Sequence, residues 1–274
     1  SDGFSLGDDG NPNNGSNTYV CWQWKANGGT TTTNDASATG VGNQDSTHQA
    51  NTTSGFSIVT YSPPSNQVGT MAHGLGAVPH VMIVKCRSTD GERWEVYHHK
   101  NTSAPETDHL GLSETDATVD STHTWNDTAP TSTIFTVGSS GATNEVSKTY
   151  VAYLFTEIKG YSKFGVYKGN GNADGPFIHT GFKPAWVIGK NATSNGNHWF
   201  INDSKRGGNG GANWIKADSD AAELTNLTNP DFVSNGFKIR NNNAIFNENN
   251  SDFIFMAFAE HPFVSSKGVP VTAG

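Results

Sequence analysis

Three tryptophans lie beside short polar side chains, a combination that is typical of sugar binding. Trp125 is followed by Asn126 and Asp127, Trp214 is preceded by Asn213, and Trp199 is followed by Asn202 and Asp203. The apolar face of a sugar stacks on an indole ring, while amide and carboxylate groups pair with hydroxyls that would otherwise lose their hydrogen bonds on burial. These eight residues are therefore the candidate glycan-binding residues.

Core packing is the alternative for these tryptophans. Trp94 and Trp199 stand at equivalent positions of an internal repeat, and this equivalence favours a core role for the pair. Trp125 and Trp214 lie in polar segments, where core packing and an exposed binding role are equally expected.

A possible calcium loop begins at Asn170. Asn170, Asn172 and Asp174 are spaced like the first three oxygen ligands of an EF-hand, and Gly175 follows at the sixth position. The twelfth position, which requires a bidentate glutamate, is Gly181. The segment is interpreted as an Asn/Gly turn, with a low-affinity Ca²⁺ site completed by other loops as the alternative. We expect no other cofactor.

The sequence contains no recognisable catalytic motif. The His-Glu-x-x-His pattern and paired cysteines of zinc sites are absent. Glu157 and Glu260 end equivalent strands, and a glycosidase would need two such carboxylates at a fixed separation. Their repeated position instead predicts structural partners, either a lysine or a backbone amide. We therefore expect a protein that is not an enzyme.

The elements that carry these residues are repeated along the chain. One strand-pair signature occurs three times, with Phe4 15 residues before Tyr19, Phe135 15 before Tyr150, and Phe237 16 before Phe253. Three occurrences at matched spacing indicate duplicated structural units. The first copy is interpreted as an N-terminal strand pair left from a preceding unit.

Further matches at a constant offset of 105 residues define the domains. The matched pairs are Pro79 with Pro184, Lys85 with Lys190, and Trp94 with Trp199. The predicted divisions are the end of a truncated upstream repeat (1–25), a linker rich in Gly, Thr and Asn (26–54), two β-sandwich repeats (55–162 and 163–264) and a C-terminal tail (265–274).

The composition favours strands and turns over helices. The chain has 274 residues, of which 34% are hydrophobic, 15% are charged and 31 are Gly. Ser, Thr and Asn compete with a helix for backbone hydrogen bonds, and Gly raises its entropic cost. Short apolar runs such as 81–84 and 186–188 are typical of strands covered on both faces. The predicted fold is all-β, with tandem antiparallel β-sandwich units of jelly-roll or lectin-like type.

Charge and hydropathy argue against two classes of partner. Lys and Arg number 17 against 25 Asp and Glu, a net charge of −8, and no basic run offers a site for nucleic acid. The most apolar run covers only 253–259, whereas a membrane span needs roughly twenty residues. We therefore expect neither nucleic-acid binding nor membrane insertion. Cys21 and Cys86, at unmatched positions, are predicted to be buried thiols rather than a disulfide.

Four groups of motifs resemble a known kind of protein. They are Trp125–Gly138, Gly160–Gly165, Gly175–Phe177 with Thr180–Ala185, and Met256–Phe263. These motifs are similar to the repeated modules of tail-fibre-like virion proteins of marine tailed bacteriophages, over most of 55–264 together with 1–25. The resemblance implies an extracellular location on the virion surface, contact with other virion proteins and a homo-oligomer. It supplies no catalytic or binding residues.

The expected function is that of a virion structural protein, a tail fibre or surface adhesin that binds host cell-surface polysaccharide through its loop aromatics. One alternative is a purely structural capsid decoration or fibre shaft module. The other is a polysaccharide depolymerase.

Overall fold

Strands dominate the computed structural model, which describes residues 3–10, 12–65, 68–207, 213–225, 230–264 and 270–271. The strands are β1 (Thr32–Asn34), β2 (Ser46–Asn51), β3 (Phe56–Tyr61), β4 (Gly69–Ala72), β5 (Val81–Cys86), β6 (Trp94–His98), β7 (Asp108–Gly111), β8 (Val119–Asp120), β9 (Ile134–Val137), β10 (Tyr150–Phe155), β11 (Ser162–Lys168), β12 (Phe177–His179), β13 (Pro184–Asn191), β14 (Phe200–Asp203), β15 (Ile215–Lys216), β16 (Asp231–Val233), β17 (Gly236–Lys238), β18 (Asp252–Ala259), β19 (Phe263–Val264) and β20 (Pro270–Val271). The helices are α1 (Ala36–Thr39), α2 (Thr122–Trp125), α3 (Ala244–Asn247) and the 3₁₀ turn Pro105–Thr107. The all-β prediction is confirmed.

None of the described helices combines the length and the apolar character that crossing a membrane requires.

Two units with the same strand order form the molecule. The main sheet of unit 1 contains β3-β10-β5-β6-β7, and that of unit 2 contains β11-β18-β13-β14-β15. The last long strand of each unit, β10 or β18, lies between the first and third strands and is antiparallel to both. A smaller sheet faces each main sheet, β4-β9 in unit 1 and β12-β17-β16 in unit 2.

The register of the repeat agrees with the sequence offset. Trp94 pairs with Lys85 at the start of the β5–β6 ladder. In unit 2, Phe200 pairs with Gly189, which places Trp199 opposite Lys190. The two tryptophans are therefore structural counterparts, as predicted.

Each main sheet carries apolar side chains on both faces. The core of unit 1 lies between its two sheets and includes Met71, Met82, Phe135 and Leu154. The core of unit 2 includes Val187, Phe237, Phe246 and Phe253. A third apolar cluster, with Val96, Phe155, Phe164, Ile188 and Phe258, joins the outer faces of the two main sheets. Successive side chains of a strand point to opposite faces, so each long strand serves its own core and this shared layer.

The predicted linker 26–54 is wrong from Thr32 onward. β2 pairs with β3 along its whole length, and β1 pairs with β2, so this segment extends the main sheet of unit 1. Asp35 caps the short helix α1 by accepting hydrogen bonds from the amides of Ser37 and Ala38. An edge strand gains its stability from ladder hydrogen bonds and tolerates polar side chains, which is why the lack of apolar residues was misleading.

The predicted strand pair at the N-terminus is also wrong, because no strand forms in the described residues before Thr32. Residues 3–25 are here called the N-terminal segment. Its Trp22 and Trp24 pack against the shared layer. Of the predicted tail 265–274, only 270–271 lies within the described residues, where β20 pairs with β19.

Candidate functional site

Trp125 is a core residue and not a sugar platform. Its side chain is 0% exposed, its Nε1 donates to the carbonyl of Asp108 at 3.1 Å, and its ring meets Tyr97 edge-on at 6.2 Å. Helix α2 ends at Trp125, and Asn126 caps it in the left-handed conformation with φ 56°. The polar neighbours Asn126 and Asp127 therefore form the exposed turn, while the indole points inward.

Trp214 and Trp199 are buried as well. Trp214 is 1% exposed and packs edge-on against Phe246 at 5.2 Å. Trp199 is 4% exposed and donates from Nε1 to the carbonyl of Gly111 at 2.8 Å, across the interface between the units. A buried indole cannot stack on a sugar, so all three tryptophan candidates for glycan stacking are wrong. The prediction that Trp199 packs in the core is correct.

The polar candidates beside them serve the fold too. Asn202 is buried and its Nδ2 donates to the carbonyl of Asn213 at 3.0 Å. Asp203 is buried and accepts from the amides of Lys205 and Arg206 at 2.9 and 3.1 Å, in the turn after β14. The structure thus brings together Asn202, Asp203 and Asn213, but as supports of a turn.

The calcium candidates form an Asn/Gly turn, the interpretation preferred from sequence. The Oδ1 of Asn170 accepts from the amide of Asn172, and the Oδ1 of Asn172 accepts from the amide of Asp174, both at 3.0 Å. Asp174 pairs with the Nζ of Lys238 at 2.8 Å, and hydrogen bonding to this lysine lowers the pKa of its carboxyl. A calcium ion at this turn would compete with Lys238 for the carboxylate of Asp174.

Both repeated glutamates have lysine partners. Glu157 lies 3.1 Å from Lys163 and also accepts from the amide of Phe164 at 2.6 Å. Glu260 lies 3.1 Å from Lys183. The prediction of structural ion pairs is confirmed. The cysteine prediction is correct for Cys86, which is buried and free, and wrong for Cys21, which is free but exposed.

Specific hydrogen bonds fix the two units relative to one another. Besides the bond from Trp199, the amides of Thr118, Gly196 and Ala117 donate to Ala192 O, Thr115 O and Asn195 Oδ1 at 2.9, 2.9 and 2.7 Å. The loop after β7 is therefore tied to the loop after β13. Directional bonds of this kind define one orientation of the units, which apolar contact alone does not.

Two histidines of unit 1 reach the main sheet of unit 2. The ring of His98 is within 3.1 Å of the carbonyl of Phe255, and that of His99 within 3.0 Å of the carbonyl of Phe164, both through Nε2. The amide of Lys100 can only donate, and it lies 3.1 Å from Nδ1 of His98. Nδ1 is therefore the acceptor and Nε2 carries the proton. Burial lowers the pKa of His98 to about 3, so this side chain stays neutral in the folded protein.

An aromatic triad marks the centre of the shared layer. Trp24, Phe155 and Phe258 meet with ring centroids 5.4 to 6.3 Å apart, in mutually edge-on orientations. Sequence reasoning did not assign these residues a role. The signal was present, since Trp24, Phe155 and Phe258 are aromatic at the same position of the three copies of the strand-pair signature.

A polar groove of about 290 Å³ lies at the end of the main sheet of unit 1 where β2 begins and β3 ends. Its lining includes the hydroxyls of Thr47, Thr60 and Thr149, the carboxylate of Asp45 and the exposed side chain of Arg87. Asp45 accepts from the amide at the start of α1 at 2.9 Å, which holds it in place. Such a lining pairs with a ligand that has many hydroxyl groups.

The sequence matches one protein family over residues 1–262, described as Domain of unknown function (DUF7483). The chain belongs to this family. No curated protein and no solved structure matches it. The match covers both units and the N-terminal segment, so the packing described above lies within one DUF7483 domain.

Replacing Trp125 of this DUF7483 domain by Ala should lower the free energy of unfolding by about 3–5 kcal/mol, since it removes a fully buried indole and leaves a cavity. Urea denaturation followed by circular dichroism measures the change. Val119→Ala, at an exposed position of β8, is the control and should stay within about 0.5 kcal/mol of the parent. A stable Trp125→Ala variant would contradict the core assignment.

His98 should make the DUF7483 domain less stable in acid. Its folded pKa of about 3 lies below the ordinary 6.5, so the unfolded chain binds the proton first and stability falls as pH drops below 6.5. The loss reaches about 2 kcal/mol at pH 5 for one such histidine. In urea titrations at pH 7 and pH 5, His98→Gln should reduce that loss, and His179→Gln, at an exposed site, is the matched control. An unchanged pH dependence in His98→Gln would exclude His98 as its source.

Proposed function

We propose that this chain is a non-enzymatic structural part of the virion surface of a tailed bacteriophage, in which the two units act as one rigid block. The observation that carries the proposal is the shared layer between the main sheets. It buries Phe155 of unit 1 together with Phe164 and Phe258 of unit 2, and hydrogen bonds in defined directions reinforce it.

A rigid block suits a shaft or a decoration better than a catalyst. Enzymes keep reactive groups in a cleft with unsatisfied hydrogen-bonding capacity or shifted pKa values. Here Glu157 and Glu260, the carboxylates with the best claim to catalysis, are each bonded to a lysine. The resemblance of the sequence motifs to phage tail-fibre modules supports the virion location and contacts with other virion proteins.

Antibodies raised against the chain should label purified particles of the phage that carries its gene. Immunogold electron microscopy measures the label, and a regular position on tail or capsid is the expected result. Label confined to the soluble fraction of infected cells would contradict the proposal. So would release of reducing ends from host polysaccharide by the purified chain.

Adhesion to a host cell-surface polysaccharide is a second proposal. Its binding site would be the polar groove and not the buried tryptophans. The groove combines three threonine hydroxyls with Asp45 and Arg87, which suits an acidic or hydroxyl-rich sugar. The aromatic residue of the lining, Tyr61, is buried and offers no stacking surface, so each contact would be weak, and repetition of the protein on a particle would supply the avidity.

Arg87→Ala should weaken binding of the chain to host-derived polysaccharide on a glycan array by roughly 10-fold, the effect of losing a charge-assisted hydrogen bond. Arg240→Ala is the matched control, because that arginine is bonded to Asp231 in unit 2. Equal binding by both variants and the parent would remove the groove as a sugar site and leave the structural role.

A further inference from the structure

An open apolar groove of about 600 Å³ lies between the N-terminal segment and the outer face of unit 1. Its apolar lining comprises Phe4, Trp22, Trp24, Ile58, Ile83 and Tyr153. An apolar groove that stays open on a folded protein is a candidate contact surface.

The same face is covered in unit 2. Ile83 pairs with Tyr153 in the main sheet of unit 1, and their counterparts Ile188 and Met256 pair in unit 2. Ile188 and Met256 are each 7% exposed because unit 1 packs on them, whereas Ile83 and Tyr153 are only half-buried. The face of unit 1 therefore has the chemistry of an interface without its cover.

The N-terminal segment, in contrast, exposes side chains whose counterparts lie in the cores of the two units. The relative exposures are 57% for Phe4 against 0% for its counterparts Phe135 and Phe237, and 50% for Tyr19 against 0% for Tyr150 and Phe253. Positions that lie in the core of both units are therefore exposed in the N-terminal segment, which carries the remaining copy of the strand-pair signature and is called the third copy below. The strands that would cover them are not supplied by unit 1 or unit 2.

The contacts run from unit 1 to unit 2 and from unit 2 to the N-terminal segment. His98 of unit 1 contacts the carbonyl of Phe255 on the central strand of unit 2 at 3.1 Å. Asp203, the counterpart of His98 in unit 2, accepts from Nε1 of Trp22 at 3.2 Å. Trp22 is adjacent to Cys21, which is the counterpart of Phe255. In both cases the last residue of the equivalent strand, β6 or β14, reaches the next copy at or beside the position of Phe255, although the bonded atoms differ.

The aromatic triad shows how such contacts could close. Trp24, Phe155 and Phe258 occupy the same position in the three copies and meet at one point. Identical positions converge in this way when copies are related by rotation about a common axis, and head-to-tail contacts then close into a ring.

We infer that the apolar groove is the seat of a third β-sandwich unit, which uses residues 3–24 as the counterparts of β9 and β10. It covers the outer face of unit 1 as unit 1 covers that of unit 2, and the three units close a pseudo-threefold ring around Trp24, Phe155 and Phe258. This inference goes beyond the proposed function, because it holds wherever the protein acts.

The test extends the 274-residue chain at its N-terminus with a second copy of 161–233, which precedes residue 1 as it precedes Ser234 in unit 2. The probe is 5,5′-dithiobis(2-nitrobenzoate), which labels exposed thiols. Cys21 is exposed and should react readily in the 274-residue chain, and Cys86 is the buried internal control. In the extended chain the labelling rate of Cys21 should fall on the order of 100-fold, because labelling then requires local opening.

The substitution Ile83→Asp distinguishes packing of the third unit in the apolar groove from unspecific shielding of Cys21 by the added residues. In the 274-residue chain it should leave the circular dichroism spectrum unchanged, since Ile83 is half-buried. In the extended chain it should restore rapid labelling of Cys21, because a charge would then be buried in the new interface. A second extension, built from 55–131, repeats the test if the first fails to fold.

Two results would overturn the inference. One is a folded extended chain in which Cys21 reacts as fast as in the 274-residue chain. The other is a 274-residue chain that sediments as a dimer with Cys21 protected and becomes monomeric on Ile83→Asp, which would assign the groove to a second copy of the chain.

Discussion

Both faces of each main sheet are apolar, and the rest of the molecule follows from the need to cover them. In β10, Leu154 points into the core of unit 1 and Phe155 points away from it. Leaving the outward face in water would forgo roughly 25 cal/mol for each Å² of apolar surface. The small sheet β4-β9 can cover only one face. A single unit is therefore an incomplete structure, and its second cover must be another unit.

This dependence places strict limits on the polar groups of the interface. A buried donor or acceptor without a partner is costly, and polar side chains of the shared layer reduce this cost by bonding across it, although Nε1 of Trp186 is buried without a hydrogen-bond partner in the described part of the chain. Trp199 does so through Gly111, and His98 through Phe255. The partners of His98 also determine its protonation. Its Nε2 donates a hydrogen bond while its Nδ1 accepts one, and only the neutral ring can do both. The apolar surface drives association, and these bonds choose its geometry.

The sequence predicted what depends on side-chain pattern and missed what depends on neighbours. The apolar runs and the constant offset identified the central strands and the counterparts Trp94 and Trp199. β2 was missed because its stability comes from backbone pairing with β3, which composition does not reveal. Trp125 was misjudged because its polar neighbours belong to a helix cap, whereas the ring faces inward. The segment around Trp22 has the pattern of a central strand, yet it forms no strand, because it pairs with no neighbouring strand among the described residues.

The burial of the aromatics also changes how any adhesive role would work. With Trp125, Trp199 and Trp214 inside, the polar groove offers hydroxyl groups and the charged groups of Asp45 and Arg87, while the aromatic residue of its lining, Tyr61, is buried. Hydrogen bonds from such groups exchange with water at little net gain, so one groove gives weak and permissive contact. Affinity must then come from the number of copies held in a fixed arrangement, because linked sites gain through effective concentration only when their geometry allows simultaneous engagement. Rigid packing of the units supplies that geometry, so the shared layer would matter to adhesion even though it touches no ligand.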